Sequence, residues 1–179
     1  MTPEGYQRTK VSGLAISDEL QKSRFYQWLN EADNVCFIGD SITEGTKNGG
    51  FGWYEPLAEA TAAKRYFYHA WGGATTVELL HHSKEITSQK ADLFVIAIGT
   101  NDVRYRDPTI CAMDSSQYIQ NSATLINSIQ VHFPETRFAF ISPWLAMEND
   151  SASRLSILER DKLMQEYGTA LAEFCKENE

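Results

Sequence analysis

The chain has 179 residues, 42% of them hydrophobic and 22% charged, with a formal net charge of −8; a domain of this length buries enough surface to stand without a disulfide or metal staple. The acidic balance excludes a broad nucleic-acid or anionic-membrane surface, because those partners need a basic face. No apolar run reaches the length of a membrane span, and Met1-Thr2-Pro3-Glu4-Gly5 lacks the basic region and apolar core of a signal peptide.

Residues 1–16 are polar and mixed and read as an arm or linker; 17–179 read as a single domain. Over 17–30 the apolar positions Leu20, Phe25, Trp28 and Leu29 fall near helical spacing, with Asp18 and Glu19 in the first turn, where they suit the helix dipole. Val35-Cys36-Phe37-Ile38 is a short apolar run that predicts a buried strand, and it stops at Gly39-Asp40-Ser41. A glycine-rich loop follows over 46–52; it has no GxxxxGK[ST] pattern and does not leave the strand directly, which argues against a phosphate loop. The span 53–64 reads as a helix that tolerates Pro56 in its first turn, and 66–71 as a second strand, broken by Gly72-Gly73. Thr75 and Glu78 have capping-box spacing for the next helix. The run 93–98 is apolar on both faces, as in the centre of a parallel sheet, and ends at Gly99-Thr100-Asn101-Asp102. After a polar loop, 115–132 predicts a helix with Tyr118, Ser122, Leu125 and Ile129 in one stripe, Pro134 stopping it. A fourth strand over 137–142 and a last helix over 153–177, with Leu163, Tyr167, Leu171 and Phe174 on one face, complete the pattern. Cys36, Cys111 and Cys175 are odd in number, widely spaced and form no CxxC pair, so they read as reduced, mostly buried thiols of a cytoplasmic chain.

Strands alternating with helices predict a parallel α/β sheet with helices on both faces. Right-handed crossovers place all four strand exits at one rim: Gly39–Ser41, Gly72–Gly73, Gly99–Asp102 and Pro143–Trp144. Each exit taken alone is also an ordinary turn, since Gly, Asp, Ser and Asn are the common turn residues. Gathered at one rim, they offer chemistry. A serine hydroxyl becomes a nucleophile when a base accepts its proton, and its attack on an ester builds an oxyanion that needs donors. The candidate donors are the Ser41 amide, the Gly73 amide and the Asn101 side chain; losing one such donor costs about 3–4 kcal/mol of transition-state stabilisation.

Three stretches, Ile38-Gly39-Asp40-Ser41-Ile42-Thr43-Glu44-Gly45, Gly72-Gly73-Ala74-Thr75 and Ile98-Gly99-Thr100-Asn101-Asp102, in this order and each at a strand exit, resemble the SGNH (GDSL-type) hydrolase family over about 34–175. The resemblance implies a three-layer α/β/α fold with a flavodoxin-like parallel sheet and a serine esterase that uses no metal or other cofactor. It implies Ser41 as nucleophile and oxyanion donor, Gly73 and Asn101 as the other donors, and Asp40 and Asp102 as loop-holding rather than chemical groups.

The sequence also departs from the family, whose base is a histidine in an Asp-x-x-His motif near the C-terminus; no such motif occurs here. The four histidines have other readings: His132 closes a helix, His81 and His82 sit on a helix surface, and His69 lies inside a strand. The expectation is therefore a domain truncated at its C-terminus, lacking the last strand and the Asp-x-x-His segment, with a missing segment or a partner chain covering the open sheet edge. Arg104, next to Asn101, and the rim aromatics Trp53 and Trp144 suggest binding of a substrate carboxylate and of sugar rings. The resulting expectation is an O-acetylesterase acting on a carbohydrate ester. A sugar-binding or interaction domain without a base, and an acyltransferase on the same fold, are the alternatives.

Overall fold

The computed structural model describes residues 16–61, 65–106, 109–145 and 153–178; apart from Ile16, the arm expected at 1–16 lies outside the described residues. The apolar runs form β1 (Asn34–Gly39), β2 (Arg65–Ala70), β3 (Leu93–Ala97) and β4 (Arg137–Ile141). These pair in the order β2-β1-β3-β4, all parallel. Every residue of the central β3 is buried, as a parallel strand covered on both faces requires.

Side chains alternate along the two central strands and so fill two cores. Cys36, Ile38, Phe94 and Ile96 join one core with α5 (Thr76–His81), α6 (Ser83–Ile86), α7 (Ser115–His132) and α8 (Ile157–Glu177). Val35, Phe37, Leu93 and Val95 join the other with α2 (Arg24–Glu31) and α4 (Tyr54–Glu59). The result is the three-layer α/β/α sandwich expected from the alternation of strands and helices. Burying one side chain of this size contributes about 1.5–3 kcal/mol. The starts of β1 and β3 are tied by Asp92, whose Oδ2 accepts from the Asp33 amide (3.1 Å), the Asn34 amide (2.9 Å) and the Asn34 side chain (3.3 Å).

Local chemistry divides the helix that periodicity predicts over 17–30, and a second helix for which the sequence marks only the start. The helix expected over 17–30 breaks at Ser23 into α1 (Asp18–Lys22) and α2. The Ser23 hydroxyl donates to the Leu20 carbonyl (2.6 Å) and accepts from the Tyr26 amide (3.1 Å), ending one helix and capping the next. The helix after Thr75 starts with the expected capping box but breaks at His82, whose ring stacks on Trp71 at 4.0 Å. The last helix begins at Ile157, behind a capping box of Ser156 and Glu159, and it buries Arg160 and Met164 along with Tyr167 and Leu171. Of the three cysteines, Cys36 is buried and Cys175 half-buried, whereas Cys111 is exposed in the loop between β3 and α7. The expectation of buried thiols thus fails at Cys111, which a polar loop leaves without a core to enter.

Candidate active site

The connection leaving β1 runs through α4 over one face of the sheet, and that leaving β3 runs through α7 over the other. The carboxyl ends of these adjacent strands therefore mark a topological switch point, where open α/β sheets leave a crevice for ligands. A groove of about 380 Å³ opens there, lined by Ser41, Ile42, Gly45, Lys47, Asn48, Phe51, Trp53, Thr100, Asn101 and Arg104. A larger groove of about 700 Å³ lies between the end of β4 and α8, around Ser142, Pro143, Met164 and Gly168; it contains none of the predicted site residues.

β1 delivers Ser41 through a tight turn. Asp40 caps the short helix α3 (Ser41–Glu44): its Oδ1 accepts from the Ile42 amide at 2.9 Å, and its carbonyl accepts from Glu44 at 2.9 Å. Gly45 ends α3 in the left-handed conformation, φ +73°, which a glycine adopts without strain. Among the described residues the Ser41 hydroxyl has no hydrogen-bond partner, and neither the Ser41 nor the Gly73 amide has an acceptor. Gly73 follows β2 at φ +80°; it does not itself line the groove. Its neighbour Ala74 reaches the site through its carbonyl, which accepts from Asn101 Nδ2 at 2.8 Å.

The exit of β3 is anchored from below. Asp102 Oδ1 accepts from the Thr76 amide (2.9 Å) and hydroxyl (2.6 Å), which ties the loop to the start of α5; Asp102 thus holds a loop, as expected. Asn101 is 6% exposed. Its Nδ2 also donates to Asp40 Oδ2 at 3.3 Å, and its Oδ1 accepts from Arg104 Nη1 at 2.8 Å. Asp40 therefore does more than hold a turn, because it joins the caps of two strand exits. Of the aromatics, Trp53 lines the groove and donates its indole N–H to Thr43 Oγ1 at 3.1 Å. Trp144 stands against Trp53 edge-to-face, with ring centroids 6.0 Å apart.

Ser41, Asn101, Arg104 and Trp53 thus share one groove, Trp144 adjoins it through Trp53, and Gly73 stands one residue from Asn101's partner. Sequence reasoning missed Lys47, Asn48 and Phe51. They belong to the glycine-rich stretch, which folds into a 3-10 turn at Thr46–Asn48 and a reversal held by Asn48 Nδ2 donating to the Phe51 carbonyl at 3.1 Å. The positive-φ glycines at 45, 49 and 50 are the signal that this segment turns back toward the serine.

None of the four histidines lines the groove. His69 sits against Phe67 and Trp71, with its Nε2 buried and without a hydrogen-bond partner, and burial pushes its pKa down. His82 stacks on the other ring of this cluster and lies 3.6 Å from Glu85. His132 Nδ1 is 3.0 Å from the Ser128 carbonyl at the end of α7. Among the described residues no three His, Cys, Asp or Glu side chains converge as metal ligands.

Burial pushes the Asp40 carboxyl up to about 6, against the pull of the Ile42 amide and the Arg104 guanidinium; Asp102 adds like charge. Burial raises Asp102 as well, opposed by its bonds to Thr76. Because the folded chain holds a proton on Asp40 that the unfolded chain has already released, this contribution to stability is full below about pH 4 and is lost as pH rises through about 6. Asp40→Asn keeps an acceptor for the Ile42 amide and removes the ionisation. Urea unfolding at pH 5 and pH 8 checks the expectation: the parent loses about 1–1.5 kcal/mol more than the variant between these values, the earlier part of the loss falling between pH 4 and 5. An identical loss in both proteins would place the titration elsewhere.

The family model for the GDSL-like lipase/acylhydrolase family matches residues 37–179. No curated protein matches the chain. Among solved structures, a candidate acylhydrolase from Bacteroides fragilis NCTC 9343 is 20% identical with a TM-score of 0.64, covering 87% of this chain and 72% of that one. A GDSL-like lipase from Bacteroides thetaiotaomicron VPI-5482 is 21% identical with a TM-score of 0.62, covering 82% and 65%. A catalytic mutant of an acetylxylan esterase from Geobacillus stearothermophilus is 20% identical with a TM-score of 0.64, covering 82% and 73%. At these identities the likeness is one of fold. Among the described residues no helix is long and apolar enough to cross a membrane.

Proposed function

We propose, because this chain belongs to the GDSL-like lipase/acylhydrolase family, that it is a serine ester hydrolase removing acetyl groups from a carbohydrate. The observation that carries the reading is the groove shared by Ser41, Asn101, Arg104 and Trp53 at the switch point of the sheet. Ser41 Oγ attacks the acetyl carbonyl, and the oxyanion takes hydrogen bonds from the Ser41 amide, the Gly73 amide and Asn101 Nδ2, which gives up its longer bond, the 3.3 Å one to Asp40 Oδ2, to do so. The sugar hydroxyl leaves with a proton, and water then releases acetate from the acylated serine. Trp53 and Trp144 offer apolar faces to a sugar ring, and Arg104 a guanidinium to an acidic substituent. The acetylxylan esterase among the structural neighbours supports a carbohydrate ester as substrate.

A second reading, a carbohydrate-binding domain on the hydrolase fold, is favoured by one observation: among the described residues no histidine and no carboxylate lines the groove to take the serine's proton. Treating the protein with a fluorophosphonate and with acetylated xylo-oligosaccharides separates the two. The hydrolase gains the phosphonyl mass on the peptide holding Ser41 and releases acetate. The binding domain does neither, yet binds the acetylated oligosaccharide saturably. Acetyl transfer to an added sugar in excess of hydrolysis would make it an acyltransferase instead.

A further inference from the structure

The hydrogen bonds through Asn101 run from Arg104 toward Asp40, which also accepts from the Ile42 amide. Arg104 Nη1 donates to Asn101 Oδ1 at 2.8 Å; Asn101 Nδ2 donates to the Ala74 carbonyl at 2.8 Å and to Asp40 Oδ2 at 3.3 Å; Asp40 Oδ1 accepts from the Ile42 amide at 2.9 Å. Asn101 is 6% exposed and Asp40 1% exposed, so water does not readily stand in for a missing partner. A side-chain amide has an acceptor end and a donor end of nearly equal shape, and only its partners decide which way it faces. If this amide were flipped, its NH₂ would meet the guanidinium, donor against donor. Its oxygen would meet the Ala74 carbonyl and the Asp40 carboxylate, acceptor against acceptor.

We propose that Arg104 is a positioning residue for Asn101: its guanidinium holds the amide so that Nδ2 faces the β2 exit and the Ser41 turn. The inference rests on the reading of Asn101 as an oxyanion donor. The backbone builds the contact, since the Arg104 amide donates to the Asn101 carbonyl at 3.1 Å, closing a turn that folds the arginine back over the asparagine three residues before it. The arginine acts on Asp40 too, because its charge favours the carboxylate against burial. One guanidinium thus fixes the orientation of the donor and the charge of the group that shares it. This role differs from the clamping of a substrate carboxylate, which would act on the substrate directly and only when the substrate is charged.

The test uses Arg104→Met, which keeps the length of the side chain without donors or charge, and Arg104→Lys, which keeps one donor and the charge. On 4-nitrophenyl acetate, which carries no carboxylate, Arg104→Met lowers kcat about tenfold or more while KM stays within about twofold, because misplacing a group by about an ångström costs up to about 100-fold. Arg104→Lys regains part of the loss. In nuclear magnetic resonance spectra, the Asn101 side-chain amide protons exchange with solvent faster in Arg104→Met than in the parent. Unchanged kcat together with unchanged amide exchange overturns the proposal. So does a rise in KM confined to carboxylated esters with kcat intact, which would assign Arg104 to substrate. If Arg104→Met fails to fold, Arg104→Lys decides by the same readings. If the parent itself turns over no ester, it is the hydrolase reading that fails, and the amide exchange alone decides whether Arg104 positions Asn101.

Discussion

Ser41→Ala lowers the release of 4-nitrophenol from 4-nitrophenyl acetate to the rate of buffer, a loss on the order of 10³-fold or more. The substitution is clean because the Ser41 hydroxyl has no hydrogen-bond partner among the described residues. The turn around it is held by other groups: the Asp40 carboxylate on the Ile42 amide, and the Gly45 amide on the Ile42 and Ser41 carbonyls. Alanine is also a better helix former than serine at the first position of α3. Unfolding in urea therefore stays within about 0.5 kcal/mol of the parent, so lost turnover is lost chemistry. Turnover that survives the substitution would remove Ser41 as nucleophile, and with it the hydrolase reading of the groove.

Gly39→Ala destabilises the fold by about 3–4 kcal/mol, above the ordinary cost of overpacking. A methyl group at Gly39 lies 2.7 Å from the carbonyl oxygen of Ala97 and runs into the Thr43 hydroxyl. Neither neighbour gives way easily. Ala97 is the last residue of β3, paired with Gly39 itself in the sheet. Thr43 is fully buried, and its hydroxyl accepts the indole N–H of Trp53. Relieving the clash therefore parts β1 from β3 or tilts α3, and the tilt breaks the Trp53 bond and moves Ser41. Urea denaturation gives the stability, and turnover by the fraction still folded gives the displacement of the serine. An unfolding free energy within about 0.5 kcal/mol of the parent would mean that the rim yields where the packing says it is rigid.

Much of this architecture is legible in the sequence because it follows from short-range rules. The four strands are apolar runs, and the split of their side chains between two cores follows from the period of two. The capping box of Thr75 and Glu78 is a spacing of three that the structure reproduces. The breaks at Ser23 and His82 were not legible, for different reasons. At Ser23 the side chain competes with the backbone for hydrogen bonds, which apolar periodicity does not register. At His82 the break coincides with a ring stack on Trp71, a residue from another segment that helical spacing does not register. The groove divides in the same way. Ser41 and Asn101 stand out because strands end abruptly beside them. Lys47, Asn48 and Phe51 do not, since their approach to the serine depends on the path of a loop through three glycines of positive φ. Arg104 stands out as a cation near Asn101, but its bond to the amide oxygen needed coordinates, because spacing alone does not tell a side chain folded back from one that reaches outward.

The strand order has a consequence for how the chain is made. β1 is flanked by β2 and β3, so the strand that carries the serine leaves the ribosome before either of its neighbours exists. The second side of β1 is paired only once β3 has been synthesised, about 60 residues later, or roughly 3–12 s at ordinary elongation rates. Until then Val35-Cys36-Phe37-Ile38 is an apolar segment with at least one unpaired edge, the kind that associates with other nascent chains or is held by chaperones. Codons between β2 and β3 thus set the exposure time of this apolar edge, and slow translation there is expected to lower the soluble yield more than the same delay placed after β3.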